Sequence, residues 1–136
     1  RSSAWLKYKI NKSQEFVIGG YTLGNPFDAL VVGYYDGSDL RYVGKVRNGF
    51  VSNLRREVMK QLKPLETYAC PFVNLPEKKG TPWALTKEGM KNCVWLRPEK
   101  VAQCEFTECT PDGHLRQVSF LALRDDKNAR DVARER

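Results

Sequence analysis

The sequence predicts a mainly β domain, and the order of its segments along 136 residues is the main reason. Three stretches rich in β-branched and aromatic residues come first, at 15–21, 29–35 and 40–46. One stretch with helical spacing follows at 54–62, and further β-rich stretches lie at 93–96, 101–110 and 115–123. Three strands, one helix and a strand pair form the element order of the OB-fold, a five-stranded, partly open Greek-key barrel.

Glycines and a turn dipeptide locate the bends of the first three strands. Gly19 and Gly20 stand together inside the first stretch, and glycine tolerates backbone angles that other residues resist. They therefore predict a bulge or a sharp bend, which small barrels use at their corners. Asp36-Gly37, between the second and third stretches, is a hairpin turn signal.

The predicted helix has a start, an apolar face and a stop. Ser52 can accept a hydrogen bond from a free amide of the first turn. Leu54, Val58 and Leu62 recur every four residues and form an apolar stripe. Pro64 ends the helix because proline has no amide to donate.

The second half of the chain holds a long connection, the last strands and a charged tail. The connection, residues 63–92, carries four prolines and two glycines, and we assign it no role. Pro111-Asp112-Gly113 makes the turn between the last two strands. The C-terminal tail from Arg124 onward is dense in charges of both signs.

Composition excludes some classes and favours a polyanionic partner. The chain is 41% hydrophobic and 29% charged, which excludes wholesale disorder and a fibrous repeat. Lys and Arg number 23 against 16 Asp and Glu, for a formal net charge of +7. That excess favours nucleic acid, nucleotide phosphates or an anionic membrane surface. No apolar run approaches the roughly 20 residues of a membrane-spanning helix.

Common catalytic and metal-binding signatures are missing from the sequence. The four cysteines contain no C-x-x-C pair and there is one histidine, which favours free thiols in a reducing cytosol over a zinc site. Phosphate-loop, dinucleotide-loop and nucleophile-elbow motifs are absent. A lone histidine argues against a serine or cysteine triad. We therefore do not expect a complete enzyme from this chain alone.

Two short basic patterns have both a structural and a functional interpretation. Lys7 and Lys9 project from one face of a predicted strand, either as edge lysines that discourage aggregation or as point charges aimed at a phosphate. Arg124, Asp126 and Lys127 form either a solvated charge run or a phosphate clamp in which the carboxylate orients the two cations. Spacing alone does not decide between these interpretations.

Motifs in a fixed order connect the chain to a known family. Trp5-Leu6-Lys7-Tyr8-Lys9 resembles motif V of the nucleotidyltransferase superfamily, and Arg124-Asp125-Asp126-Lys127 resembles the R-x-D-K core of motif VI. Blocks between them also match, at 16–22, 40–50, 95–98 and 110–116. Together they resemble the C-terminal OB domain of ATP-dependent DNA ligases, above all bacterial non-homologous end-joining ligases. The resemblance assigns residues 1–13 to the last catalytic-domain strand and a linker, and 14–136 to the OB domain.

The resemblance implies a part in sealing DNA nicks. Such ligases adenylate a lysine with ATP and Mg²⁺, move AMP to the 5′-phosphate at the nick, and let the 3′-hydroxyl displace AMP. In the family, motif V lysines contact the α-phosphate, which implies this role for Lys7 and Lys9. Motif VI contacts the β- and γ-phosphates, which implies that role for Arg124, Asp126 and Lys127. Cations there stabilise the charge that develops on phosphoryl oxygens.

The family's nucleophilic lysine is absent from this chain. It belongs to a K-x-D-G motif, and neither Asp36-Gly37 nor Asp112-Gly113 has a lysine at the required place. We therefore expect the chain by itself not to adenylate and not to bind ATP or Mg²⁺ stably. Because the chain starts at Arg1, we also expect a fragment of a longer ligase polypeptide.

Contacts to duplex DNA are expected from basic residues near the third strand and the helix start: Lys45, Arg47, Arg55 and Arg56. As phosphate contacts they would carry affinity without reading sequence. Ordinary surface solubility is the alternative for each of them.

Two other functions stay open. One is a stand-alone OB module that binds single-stranded nucleic acid; the other is the OB domain of an RNA ligase or mRNA-capping enzyme. The resemblance implies nicked double-stranded DNA and a nucleotidyltransferase domain in cis as partners. We further expect a monomer, no membrane partner and a location in the bacterial cytoplasm.

Overall fold

The computed structural model describes residues 12–51, 53–75, 85–109, 115–124, 128–129 and 132. Its elements in chain order are β1 (Lys12–Leu23), β2 (Phe27–Asp36), β3 (Asp39–Val46), α1 (Leu54–Leu62), a 3-10 turn (Lys63–Leu65), β4 (Glu66–Thr67), α2 (Lys87–Met90), β5 (Cys93–Phe106), β6 (Glu108–Cys109), β7 (Leu115–Arg116) and β8 (Ser119–Leu123). Several predicted features lie outside the described residues, namely Lys7, Lys9, Ser52, the turn at 111–113, Asp126 and Lys127.

One antiparallel sheet dominates the described part of the chain. Its strand order is β3-β2-β1-β5-β4, and β8 also pairs with β5. The amide of Phe120 donates to the carbonyl of Asn48 with an N–O distance of 2.8 Å, and residues 48 and 119 form a parallel bridge. The end of β3 therefore meets β8, which brings the two sides of the curved sheet together as in a barrel.

The mainly β architecture and the helix after the third strand are confirmed. Eight strands rather than five lie in the described ranges, because two-residue ladders add β4, β6 and β7. The strand predicted at 93–96 and the first part of the strand predicted at 101–110 are continuous in β5, which ends at Phe106, while Glu108–Cys109 forms the separate β6. Pro98 falls between Trp95 and Lys100, where β5 leaves its ladder with β1, so its missing amide breaks no bond of that ladder. The Greek-key path stays a prediction.

The paired glycines form the predicted bulge in β1. The pairing of β1 with β2 and with β5 shifts register between Ile18 and Gly20. Gly19 leaves room for Phe72, since a Cβ there would stand 2.5 Å from two atoms of that ring. The predicted hairpin turn is also present, and Gly37 adopts a φ of +68° there.

The inner face of the sheet buries the main hydrophobic core. Phe16, Ile18 and Ala102 are members from β1 and β5. Helix α1 adds its buried residues Val58, Met59 and Leu62. Its N-cap is Asn53, whose side chain makes no capping bond, and Pro64 in the following 3-10 turn ends the helix as predicted.

The outer face of the sheet carries a second core, which no sequence pattern predicted. Phe72 packs there against Tyr42 and Trp95, with ring centroids 5.9 and 6.3 Å away. The Asn74 side-chain amide bonds to the amide and carbonyl of Tyr42, at 2.8 and 3.2 Å. The other buried members are Val17, Val31, Tyr35, Leu40, Leu85, Val101, Ala129 and Val132. The connection and the tail therefore contribute packing to the fold.

Candidate functional site

Arg124 lies directly after β8 and is held by backbone and side-chain contacts. Its amide donates to the carbonyl of Val101 on β5, with an N–O distance of 2.8 Å. Its guanidinium Nη1 donates to Gln103 Oε1 at 3.0 Å and stands 3.3 Å from Glu15 Oε2. The first residue of the segment that resembles motif VI is therefore fixed against the two central strands of the sheet.

The alternation of side chains along β1 and β5 produces this contact. Glu15 pairs with Gln103 across the two strands, and both project to the outer face because their neighbours Phe16 and Ala102 enter the inner core. The Gln103 side-chain amide donates to the hydroxyl of Ser13, which turns its carbonyl oxygen toward Arg124. Neither partner of Arg124 was predicted from the sequence, since the register between strands so far apart leaves no local signal.

The Arg124 side chain is only partly withdrawn from solvent. The side chain of Arg124 retains 34% of its exposure and that of Glu15 retains 26%. A guanidinium presents several donors in a planar fork that suits phosphate oxygens. Part of the Arg124 side chain is therefore accessible from solvent while Nη1 is bonded to the sheet.

The tail is anchored a second time beyond Arg124. Ala129 and Val132 are buried in the outer core, and the carbonyl of Val132 accepts from the amide of Tyr35 on β2 at 2.8 Å. The two anchors lie on different strands, β5 and β2. Asp126 and Lys127 fall between them in sequence, outside the described residues.

Arg47 and Arg55, two of the predicted DNA contacts, come together at the end of β3. Arg55 Nη2 donates to the carbonyls of Arg47 and Asp28, at 2.9 and 3.1 Å. Arg47 forms an exposed ion pair with the Asp28 carboxylate at 3.2 Å. The Arg55 guanidinium carbon also lies 4.8 Å from the ring centroid of Phe50 and 5.7 Å from that of Phe27. Arg55 thus ties α1 to the ends of β2 and β3.

Lys45 and Arg56, the other two predicted DNA contacts, occupy different positions. Lys45 is half-buried on β3 opposite Val31, and its positive charge acts against the burial that raises the pKa of the Cys93 thiol. Arg56 is exposed on α1. Among the described residues, no contact joins these two side chains to Arg47 or Arg55.

A groove of about 570 Å³, which no sequence pattern predicted, opens beside β4 and the start of β5. Its lining includes Trp95 and the fully exposed Tyr68. Glu66, at its edge, accepts a hydrogen bond from the hydroxyl of Tyr21. Burial and this bond raise the pKa of Tyr21 above its usual range. An exposed aromatic ring beside a groove is a chemically adaptable surface.

The remaining chemical features of the described residues concern metal ions, thiols and membranes. The described ranges hold no group of three His, Cys, Asp or Glu side chains that could bind a metal ion. Cys70, Cys93 and Cys104 are free thiols, and burial raises the pKa of Cys104 to about 12. No helix in the described ranges has the length and apolar composition needed to cross a membrane.

Comparison with known proteins gives consistent matches. The profile of the family described as "ATP dependent DNA ligase C terminal region" matches residues 24–127. A relative named "Multifunctional non-homologous end joining protein LigD", from Pseudomonas aeruginosa, is 34% identical over 143 residues and covers 100% of this chain. The protein of the same name from Mycolicibacterium smegmatis is 38% identical over 140 residues and covers 99%. The chain spans only 16% and 17% of the length of these two relatives.

Two solved structures share the fold. One is the crystal structure of the ligase domain from M. tuberculosis LigD, with a TM-score of 0.79 and 30% identity. The other is a mycobacterial DNA ligase D complexed with ATP and MES, with a TM-score of 0.77 and 31% identity. Both alignments cover 92% of this chain, and they cover 39% and 38% of the solved chains.

Proposed function

Because the chain belongs to the family of C-terminal regions of ATP-dependent DNA ligases, we propose that it is the OB domain of an enzyme that seals nicked DNA in end-joining repair. Its role is to present Arg124, together with Asp126 and Lys127, to the triphosphate of ATP during lysine adenylation. The observation that carries this proposal is the partly exposed Arg124 side chain, whose Nη1 is held at the outer face of the sheet.

The chemistry of adenylation explains why a guanidinium serves here. When the lysine of the catalytic domain attacks the α-phosphorus, negative charge moves onto the leaving pyrophosphate. A fixed cation near those oxygens stabilises the transition state more than the ground state. Arg124 fits this chemistry as a donor to phosphate oxygens, and Lys7 and Lys9 would contact the α-phosphate.

Mg²⁺ belongs to a different part of the proposed enzyme. Mg²⁺ is usually held by one or two carboxylates together with substrate phosphates and waters. The described residues contain no cluster of three or more His, Cys, Asp or Glu side chains that could hold a metal ion, and we assign metal binding to the ATP phosphates and the nucleotidyltransferase domain in cis. As a DNA repair enzyme, the proposed ligase would act as a monomer in the bacterial cytoplasm.

Binding of nicked duplex DNA is the second part of the proposal. Lys45, Arg47, Arg55 and Arg56 are basic residues near the third strand and α1, and the net charge of +7 favours a polyanion. Arg55 already binds two backbone carbonyls. We therefore expect Arg47 and Arg56 to contact phosphates more directly than Arg55.

Replacement of Arg124 tests the triphosphate role. In the full-length polypeptide that carries this chain, Arg124→Ala should slow self-adenylation with labelled ATP about a hundredfold, the usual cost of removing one charge-stabilising donor. Sealing of a nick that is already adenylated should change little, because that step needs no triphosphate. Arg41→Ala is the matched control, since Arg41 is paired with Asp36 on an exposed part of the sheet.

The opposite pattern would contradict the assignment. If Arg124→Ala adenylates at the normal rate but fails to seal the adenylated nick, Arg124 serves DNA rather than ATP.

A further inference from the structure

We propose that Glu15 and Gln103 are positioning residues for Arg124, which hold its guanidinium ready for the ATP triphosphate. This inference rests on the proposed function of Arg124. Its basis is that one nitrogen of the guanidinium, Nη1, has both a carboxylate oxygen and an amide oxygen as partners, at 3.3 and 3.0 Å.

The two acceptors are themselves fixed by the sheet. Glu15 and Gln103 are direct partners in the ladder of β1 with β5, so the distance between their backbones cannot change without breaking the two central strands. Ser13, on the same face of β1 as Glu15, accepts a hydrogen bond from the Gln103 side-chain amide. The amide orientation that offers its oxygen to Arg124 is thereby selected.

The backbone of Arg124 is fixed at the same place. Its amide donates to Val101, two residues before Gln103 on the same face of β5. A long side chain with a fixed base and a fixed tip has few rotamers left. An arginine without these partners would lose its rotamer freedom only when the triphosphate binds. The entropy cost of ordering the side chain would then oppose catalysis.

The contact is too exposed to serve mainly as a stabiliser of the fold. Both side chains keep a quarter to a third of their exposure, and ion pairs of that kind contribute little to stability. Loss of Glu15 should therefore affect the placement of Arg124 more than the folding of the domain.

The first test is structural and uses the 136-residue chain itself. With isotope-labelled arginine, NMR should show hindered rotation of the Arg124 guanidinium in the wild type. Glu15→Ala and Gln103→Ala should make that rotation fast. Glu105→Ala is the matched control, since this substitution removes the same charge from the outer face of β5, where Glu105 lies opposite Ser13. Unchanged Arg124 signals in Glu15→Ala would overturn the inference.

The second test is a double-mutant cycle on self-adenylation in the full-length polypeptide. Glu15→Ala should lower kcat/KM for ATP about tenfold, an effect of the size expected from lost ordering of one long side chain. Glu15→Gln should recover most of the rate, because its amide oxygen still accepts from Nη1. In an Arg124→Ala background, Glu15→Ala should have no further effect, and the melting temperature should match that of Glu105→Ala.

The outcomes separate this inference from the proposed function. If Arg124→Ala itself leaves adenylation unchanged, the triphosphate role fails, whatever NMR shows about the guanidinium. If Arg124→Ala is slow while Glu15→Ala is normal, the triphosphate role stands and positioning is refuted. A Glu15→Ala defect that persists without Arg124 also refutes positioning, as does faster adenylation in Glu15→Ala, which would make Glu15 a competitor of the phosphates.

Discussion

At the scale of single residues, the arginines of this chain differ in their contacts. Arg124 keeps about a third of its side-chain exposure while Nη1 is held by the sheet. Arg55 directs Nη2 to two backbone carbonyls and lies over aromatic rings, so its bonds hold the protein itself together. Arg56, its neighbour in sequence, is exposed. A basic sequence pattern therefore cannot by itself separate binding residues from structural ones.

Removal of Arg55 should reduce the stability of the fold. Arg55→Ala loses two hydrogen bonds and the contact with Phe50, which should lower the free energy of unfolding by about 2–3 kcal/mol. Arg55→Lys should not restore it, because one ammonium cannot reproduce the planar fork. Arg56→Ala, one position away, should change stability by less than about 0.5 kcal/mol. Urea unfolding of the three variants measures this, and equal stabilities would contradict the structural role of Arg55.

At the scale of elements, local signals predicted the β1 bulge, the hairpin turn at Gly37 and helix α1. Each depends on residues close together in sequence, such as paired glycines or apolar residues four apart. The outer core and the Arg124 contacts depend instead on cross-strand register, for example Glu15 opposite Gln103. No local pattern encodes that register, which is why Glu15 and Gln103 were not predicted from the sequence. Arg124 was selected because its segment resembles motif VI.

The connection after α1, to which no role was assigned, should be essential to stability through one aromatic side chain. Phe72→Ala removes a ring packed on Gly19, Tyr42 and Trp95, and should lower the free energy of unfolding by about 3–5 kcal/mol. Val73→Ala is the control, because Val73 is exposed and should change stability by less than about 0.5 kcal/mol. Thermal or urea unfolding compares them, and a Phe72→Ala protein as stable as Val73→Ala would show that the outer core contributes nothing.

At the scale of the whole molecule, we expect contact with a DNA backbone from the charge and the family of the chain. The net charge is +7, and the chain belongs to a DNA ligase family. Sequence-independent binding of this kind releases counterions and weakens as salt rises. A single-strand module would instead depend on stacking of bases on aromatic side chains, such as the exposed Tyr68.

Titration against nicked duplex, intact duplex and single-stranded DNA across salt separates these possibilities. We expect binding to duplex DNA. The logarithm of the association constant should fall linearly with the logarithm of the salt concentration, with a slope of about −3 to −4, if the four proposed basic residues each contact one phosphate. Joint replacement of Lys45 and Arg56 by Glu should reduce that slope by about 2. Preference for single strands with quenched aromatic fluorescence would instead favour the stacking module.

The bond between Asn48 and Phe120 has a consequence for synthesis of the protein. During translation, β1, β2 and β3 leave the ribosome before the partner that closes the curved sheet, which lies about half the chain further on. The outer core is completed later still, because the carbonyl of Val132 accepts a hydrogen bond from the amide of Tyr35. Until those contacts form, β1, β2 and β3 keep an open edge, a topology that folds slowly and depends on late, long-range contacts. Arg124 directly follows β8 and bonds to Val101 on β5, so it is held in place only after this part of the domain has been made.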